Sequence, residues 1–173
     1  MRDFIDILCT RLCPTLTHAQ AGALLAASVP RGGAAGEEII REGQPGLGLF
    51  FFVSGQVEVL RRTADGTEQP LVVVEAPSLL GEISLITDGP HSATVRAKTR
   101  CEFRFLSKEQ FRRRLAADDL AAHRLVSSIA ALLAQRLMRL SDEMVRLTGG
   151  PQGAPRTEDL VEFRGKLSAD WSF

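Results

Sequence analysis

Apolar positions change their rhythm twice along this chain. Phe4, Ile5, Leu8 and Leu12 recur at helical spacing, Pro14 interrupts them, and Thr17 followed by Gln20 makes a capping-box start for an Ala- and Leu-rich helix through Ala27. Residues 30–36 then break the helical pattern. From residue 37 to 106 the texture becomes short apolar runs punctuated by glycine and proline. This predicts strands at 37–41, 47–53, 56–62, 69–75, 93–97 and 101–106, separated by turn signals such as Ser54-Gly55, Asp65-Gly66 and Asp88-Gly89-Pro90. Many short strands at this spacing imply an antiparallel sandwich or roll. Inside that region residues 81–87, GEISLIT, read as one short helical turn. Ser107 with Gln110 repeats the capping box, and helical texture runs from 108 to about 147 with a bend near Asp118-Asp119.

The last helical stretch carries a seam of Val126, Ala130, Leu133, Leu137, Leu140, Met144 and Leu147, spaced alternately four and three apart. Leu125, Ile129 and Leu132 form a second apolar line beside it. Such a helix can pack on its own domain with one face and join two chains with the other, or use both lines internally. After Leu147 the composition turns to linker over 148–157, and the final stretch offers Leu160, Phe163, Leu167, Trp171 and Phe173 among charges, enough for a docking peptide. The expected organisation is therefore N-terminal helices over 1–30, a β region over 31–107, C-terminal helices over 108–147, a linker over 148–157 and a tail over 158–173.

Charge narrows the function classes. Twenty-one basic and twenty-one acidic residues cancel, so no global field draws the 173-residue molecule to nucleic acid or anionic lipid, and any anion site must be local. The longest uncharged stretch is interrupted by prolines, and Asp3 and Asp6 stand where a signal peptide needs positive charge, so a soluble, cytoplasmic protein with no membrane segment is expected. Cys9, Cys13 and Cys101 match neither a disulfide framework nor paired zinc ligands, and three scattered histidines, His18, His91 and His123, offer no metal set. No nucleophile elbow, phosphate-binding glycine loop of the Walker type or carboxylate pair appears. Neither an enzyme, a metal nor a resident cofactor is expected.

Residues 81–94, GEISLITDGPHSAT, carry the candidate chemistry. Gly81 would let a ligand approach the backbone closely, and the helical turn opening beside it presents amide groups toward an anion. Glu82 can accept hydrogen bonds from a sugar hydroxyl, a neutral donor compatible with a carboxylate next to a phosphate. Ser92 offers a hydroxyl and an amide to phosphate oxygens, and His91 a charge that depends on pH. Sugar beside phosphate describes a nucleotide.

These segments, taken in order, resemble the cyclic nucleotide-binding domain family, as found in the regulatory half of the catabolite activator protein and its relatives. The likeness spans roughly residues 16–147. REGQPGLGLFFFVSGQVEVL is similar to the family's glycine-punctuated strand pair, GEISLI to its phosphate-binding cassette, PHSATVRAKTRCEF to the strand that follows, and the two final helices to its hinge and dimer helices. The resemblance implies an α+β fold: an eight-stranded antiparallel β-roll, jelly-roll-like, flanked by N-terminal helices and a long C-terminal dimer helix. It implies binding of cAMP or cGMP at Gly81, Glu82, Ile83, Ser84, His91, Ser92 and Ala93, with Ser141 on the long helix toward the base. His91 departs from the family's arginine, and Ser84 from its usual alanine. An imidazole offers at most one donor where a guanidinium offers two and a permanent charge.

Relatives that regulate transcription carry a helix-turn-helix beyond the dimer helix, whereas the 26 residues after Leu147 in this chain are too few for one, so direct DNA binding is not expected. The run Arg112-Arg113-Arg114 reads as a solvated helix face answered by Asp118 and Asp119. Two functions remain open at this level. One is a stand-alone cyclic nucleotide sensor, homodimeric through residues 126–147, that signals to a partner protein. The other is a degenerate domain that binds no ligand and serves as a dimeric interaction scaffold.

Overall fold

The computed structural model describes residues 2–148, without the side chains of Glu143, Arg146, Leu147 and Thr148. The linker and tail expected beyond the long helix, Trp171 included, lie outside the described residues. Two short helices, α1 (Arg2–Ile7) and α2 (His18–Ala27), flank a π-helical turn at Leu8–Leu12. The Thr17 hydroxyl accepts from the Gln20 amide while the Gln20 side chain accepts from the Thr17 amide, the reciprocal cap that the sequence predicts for α2.

Eight strands follow, β1 (Val29–Gly33), β2 (Glu38–Ile40), β3 (Gly48–Ser54), β4 (Gln56–Arg62), β5 (Glu68–Glu75), β6 (Ser78–Leu80), β7 (Thr94–Ala97) and β8 (Cys101–Ser107). They make two four-stranded antiparallel sheets, ordered β1-β8-β3-β6 and β2-β7-β4-β5. The α+β roll inferred from the sequence is the observed architecture. Two of its strands escape the sequence pattern. Strand β1 is a Pro- and Gly-rich edge strand, exposed at four of its five positions, that takes its conformation from pairing Val29–Gly33 against β8. Strand β6 has only three residues, all buried, and pairs with Phe50–Phe52.

Alternation along β3 explains why one strand serves two cores. Leu49 and Phe51 face the helices, where they pack with Leu8, Leu24, Leu106, Leu125 and Ile129. Phe52, with its neighbour Phe50, faces the second sheet and meets Val57, Val74, Val95 and Phe103. The Phe52 and Phe103 rings stack with centroids 5.0 Å apart. A strand buried on both faces reads as a continuous apolar run, here LFFFV.

A short helix, α3 (Glu82–Thr87), is inserted between β6 and β7, and two helices close the chain, α4 (Lys108–Ala116) and α5 (Leu120–Thr148). The Ser107 capping box forms at α4 as expected. The bend between α4 and α5 falls at Asp118, which adopts φ 54°, and Asp119 restarts the helix by accepting from the Ala121 amide at 2.8 Å. Of the two apolar lines on α5, Leu125, Ile129 and Leu132 are buried in the core with Val126 and Leu133 packed partly against it. Leu137 (65% exposed), Met138, Leu140 and Met144 (67%) are left at the surface. The arginine run finds partners other than those the sequence suggests: Arg112 pairs with Asp88, Arg113 with Glu109, and only Arg114 with Asp119.

Candidate ligand-binding site

Gly81 sets the entrance to α3. It sits at φ 80°, in the left-handed region, and a Cβ there would lie 2.8 Å from the Gly48 carbonyl oxygen. Glycine is therefore required twice, by conformation and by close approach. The chain leaves α3 through Asp88, also left-handed at φ 58°, whose carboxylate takes Lys108 at 2.8 Å and Arg112 at 2.7 Å from α4. Those two cations hold the Asp88 carboxyl below its ordinary range. Lys108 lies within 3.4 Å of the Ser84 carbonyl as well, so the last turn of α3 is tied to the first turn of α4.

A cavity of about 290 Å³ opens between α3 and the roll. Seven of the eight residues picked from the sequence line it: Gly81, Glu82, Ile83, Ser84, His91, Ser92 and Ala93. The apolar walls come from Ile40, Val59, Leu71, Leu80 and Val95, and one further charge, Arg61, reaches it from β4. Ser141 lies exposed on α5 and is not part of the lining. A larger concavity of about 890 Å³ follows β1 and β8; it is lined by Arg31, Arg100, Glu102 and Arg104, of which Arg104 is committed to the Leu25 and Ser28 carbonyls, and it contains none of the residues picked from the sequence.

Glu82 is only 5% exposed, and its Oε1 accepts from Arg136 Nη1 at 2.7 Å. Arg136 comes from α5, 54 residues away, and is itself buried. Burial pulls the guanidinium below its ordinary value and the Glu82 charge opposes that pull. A charge pair removed from water this completely stands or falls as a unit. The sequence contains a signal for it: Arg136 continues the buried line Leu125, Ile129, Leu132 at the same three- and four-residue spacing. A charge in line with core positions demands a partner from the element it packs on.

His91 is 7% exposed, with Nδ1 3.1 Å from Ser84 Oγ. The Ser84 hydroxyl lies 2.9 Å from the Gly81 carbonyl as well; when it donates its single hydrogen there, it accepts from Nδ1 of His91. In the neutral ring Nε2 is then a bare acceptor. Desolvation first, and the Lys108 charge second, hold the imidazole below its ordinary value. The His91 amide and carbonyl bridge to Gln44 and Gly43 at 2.8 and 2.9 Å, which pins the loop.

The other titratable candidates are accounted for elsewhere. His18 pairs with Asp6 and His123 approaches Asp118, remote from the cavity lining. Cys9, Cys13 and Cys101 are free and buried, with burial pushing the Cys13 thiol up to about 12. Among the described residues no group of three or more His, Cys, Asp or Glu could hold a metal ion, and no helix is long and apolar enough to cross a membrane.

Comparison with known proteins shows what the chain is similar to. The family model described as cyclic nucleotide-binding domain matches residues 33–118. The cyclic AMP receptor protein of Thermus thermophilus is 33% identical over 109 residues, 63% of this chain and 49% of that protein. The crystal structure of the N-terminal domain of a transcriptional regulator from Streptomyces coelicolor A3(2) is 30% identical with a TM-score of 0.63, covering 80% of this chain and 94% of that one. A cyclic nucleotide-binding domain from Methylobacillus flagellatus shares the fold with a TM-score of 0.74 over 88% of both chains at 20% identity. The chain spans about half or less of the length of the first curated relatives it matches.

Proposed function

Because the chain belongs to the cyclic nucleotide-binding domain family, we propose that the cavity under α3 binds a cyclic nucleotide of the cAMP or cGMP type and that α4 and α5 report its occupancy to a partner protein. The observation that carries this reading is the convergence of Gly81, Glu82, Ser84, His91, Ser92 and Ala93 on one cavity whose acidic member is held by the long helix. The ribose hydroxyl would meet Glu82, and the cyclic phosphate would meet Ser92, the Ala93 backbone and His91. No catalytic step is involved.

The signalling part follows from two connections. Glu82 is bonded to Arg136 of α5, and Asp88 to Lys108 and Arg112 of α4, so both ends of α3 are anchored to the C-terminal helices. A ligand hydroxyl arriving at Glu82 changes what Arg136 is bonded to, and thereby the seat of α5. The exposed Leu137, Leu140 and Met144 line supports pairing of α5 with its copy in a homodimer. Ser141 would take part only where a second copy brings it to a cavity.

The competing scaffold reading draws on one specific feature, a buried His91 whose burial pushes its imidazole below the ordinary value where an anion is to bind. A thermal-shift panel separates the two. A ligand present at one hundred times its Kd adds about 2.7 kcal/mol to stability. cAMP or cGMP should raise the melting temperature while adenosine and inorganic phosphate do not. No shift with any cyclic nucleotide at millimolar concentration would leave the scaffold.

A further inference from the structure

A cyclic phosphodiester calls for a permanent positive charge, which an imidazole is not, and Arg61 is the one Lys or Arg among the described residues lining the cavity. Strand β4 pairs with β7 from Val57↔Ala97 to Leu60↔Thr94, so Arg61, one residue beyond the last pair, is level with Ala93. Val59 and Arg61 are two apart on the strand, and both line the cavity beside His91, Ser92 and Ala93. The pattern Val57, Val59, Arg61 thus exchanges an apolar position for a guanidinium where the phosphate end of the ligand would lie.

Among the described residues that guanidinium is only loosely held. Its Nε is 4.0 Å from Glu42 Oε1, beyond hydrogen-bond distance, and the side chain is 64% exposed. Glu42 is bound instead to the backbone of β4, its Oε2 accepting from the Arg62 amide at 2.8 Å. A long, loosely tethered arginine at a cavity rim can turn inward at small expense, since exposed ion pairs of this kind contribute little.

The cations that approach α3 from the C-terminal helices are not in the cavity lining. Arg136 is bonded to Glu82, and Lys108 to Asp88. We infer that Arg61 supplies the fixed cationic partner of the ligand's monoanionic cyclic phosphodiester, from the strand paired beside Ala93. This inference rests on the nucleotide reading above. A guanidinium suits the role because it stays charged throughout and can present two parallel N–H donors to two phosphate oxygens.

The test is calorimetric titration of the whole chain with cAMP, with cGMP and with the uncharged methyl phosphotriester of cAMP, for wild type, Arg61→Gln and Arg61→Lys. Removing one charge-assisted hydrogen bond to a ligand weakens affinity about ten- to a hundredfold. Arg61→Gln should weaken cAMP and cGMP alike by that factor, Arg61→Lys should recover most of it, and the triester should not distinguish the three proteins. Because Arg61 is exposed, all three should melt together without ligand. Wild-type binding with an unaltered Arg61→Gln affinity would overturn the inference and leave the nucleotide reading standing. A weakening confined to cGMP, or equal for the triester, would overturn it too, by assigning Arg61 to the base or to packing. Absence of wild-type binding would remove the nucleotide reading itself, and this inference with it.

Discussion

Arg136→Met removes one half of the Glu82 pair and keeps the length of the side chain. The pair is 2.7 Å long, both members are under a tenth exposed, and they join α3 to α5. Breaking a buried ion pair from one side leaves an uncompensated buried charge and costs about 3–5 kcal/mol. For a domain of this size each kcal/mol moves the melting temperature about 2–4 °C, so a fall of about 6–20 °C is expected at fixed protein concentration. Urea unfolding should place the same loss in the midpoint with an unchanged m-value. The double variant Glu82→Gln, Arg136→Met removes both charges and should regain at least half of the loss, giving a coupling energy of the kind that touching residues show. If Arg136→Met were destabilising by less than about 1 kcal/mol, or the double variant fell by the sum of the singles, the two charges would not be acting as a buried unit. The proposed route from cavity to long helix would then lose its physical basis.

Three further outcomes follow from the same structure. Leu137→Glu places a charge on the exposed α5 line, and sedimentation should show a dimer for wild type and a monomer for the variant, whereas equal mass for both would exclude the seam. Gly81→Ala forces a Cβ to within 2.8 Å of the Gly48 carbonyl at a left-handed residue, so it should destabilise by about 1–3 kcal/mol and weaken ligand binding, and a neutral result in both assays would contradict the backbone account. His91, whose folded pKa is lowered, adds nothing to the pH dependence of the ligand-free fold above its ordinary range near 6.5 and lowers stability as pH falls through that range, because the unfolded chain takes the proton more readily. Ligand binding should run the other way, tightening from pH 8 toward 6 as phosphate draws a proton to Nε2 against Lys108 on α4, Arg61 on β4 and the Glu82–Arg136 pair. His91→Gln should flatten both profiles, and a binding curve independent of pH in wild type would separate His91 from the phosphate.

The roll was legible in the sequence wherever a short apolar run met a turn signal, which is why β2, β3, β4, β5, β7 and β8 fall within a residue or two of their expected bounds. Strands β1 and β6 were not, because neither owes its conformation to its own residues. Val29–Gly33 is extended through its ladder with β8, and Ser78–Leu80 is too short to display a period. The cassette residues could be picked out because they are contiguous, 81–84 and 91–93, and proximity in sequence stands in for proximity in space. Arg136 and Arg61 lie on other elements: Arg136 reaches Glu82 only because α5 passes α3, and Arg61 lines the cavity only through the register of β4 against β7. Each is a charge on an apolar line, a signal that the sequence reading passes over and that names no partner. Chain pairing through α5 stays beyond a single chain, although the exposed Leu137 and Met144 show which apolar line its own core leaves uncovered.

The central claim, that the cavity bounded by Gly81, Glu82 and Ser92 takes a cyclic nucleotide, is tested most directly by isothermal titration of the wild-type chain with cAMP and cGMP. The account predicts one ligand bound per chain, and weakening of that binding by Glu82→Ala at every pH, because the missing hydrogen bond is to a neutral hydroxyl. Heats indistinguishable from dilution for both nucleotides at millimolar concentration would contradict it.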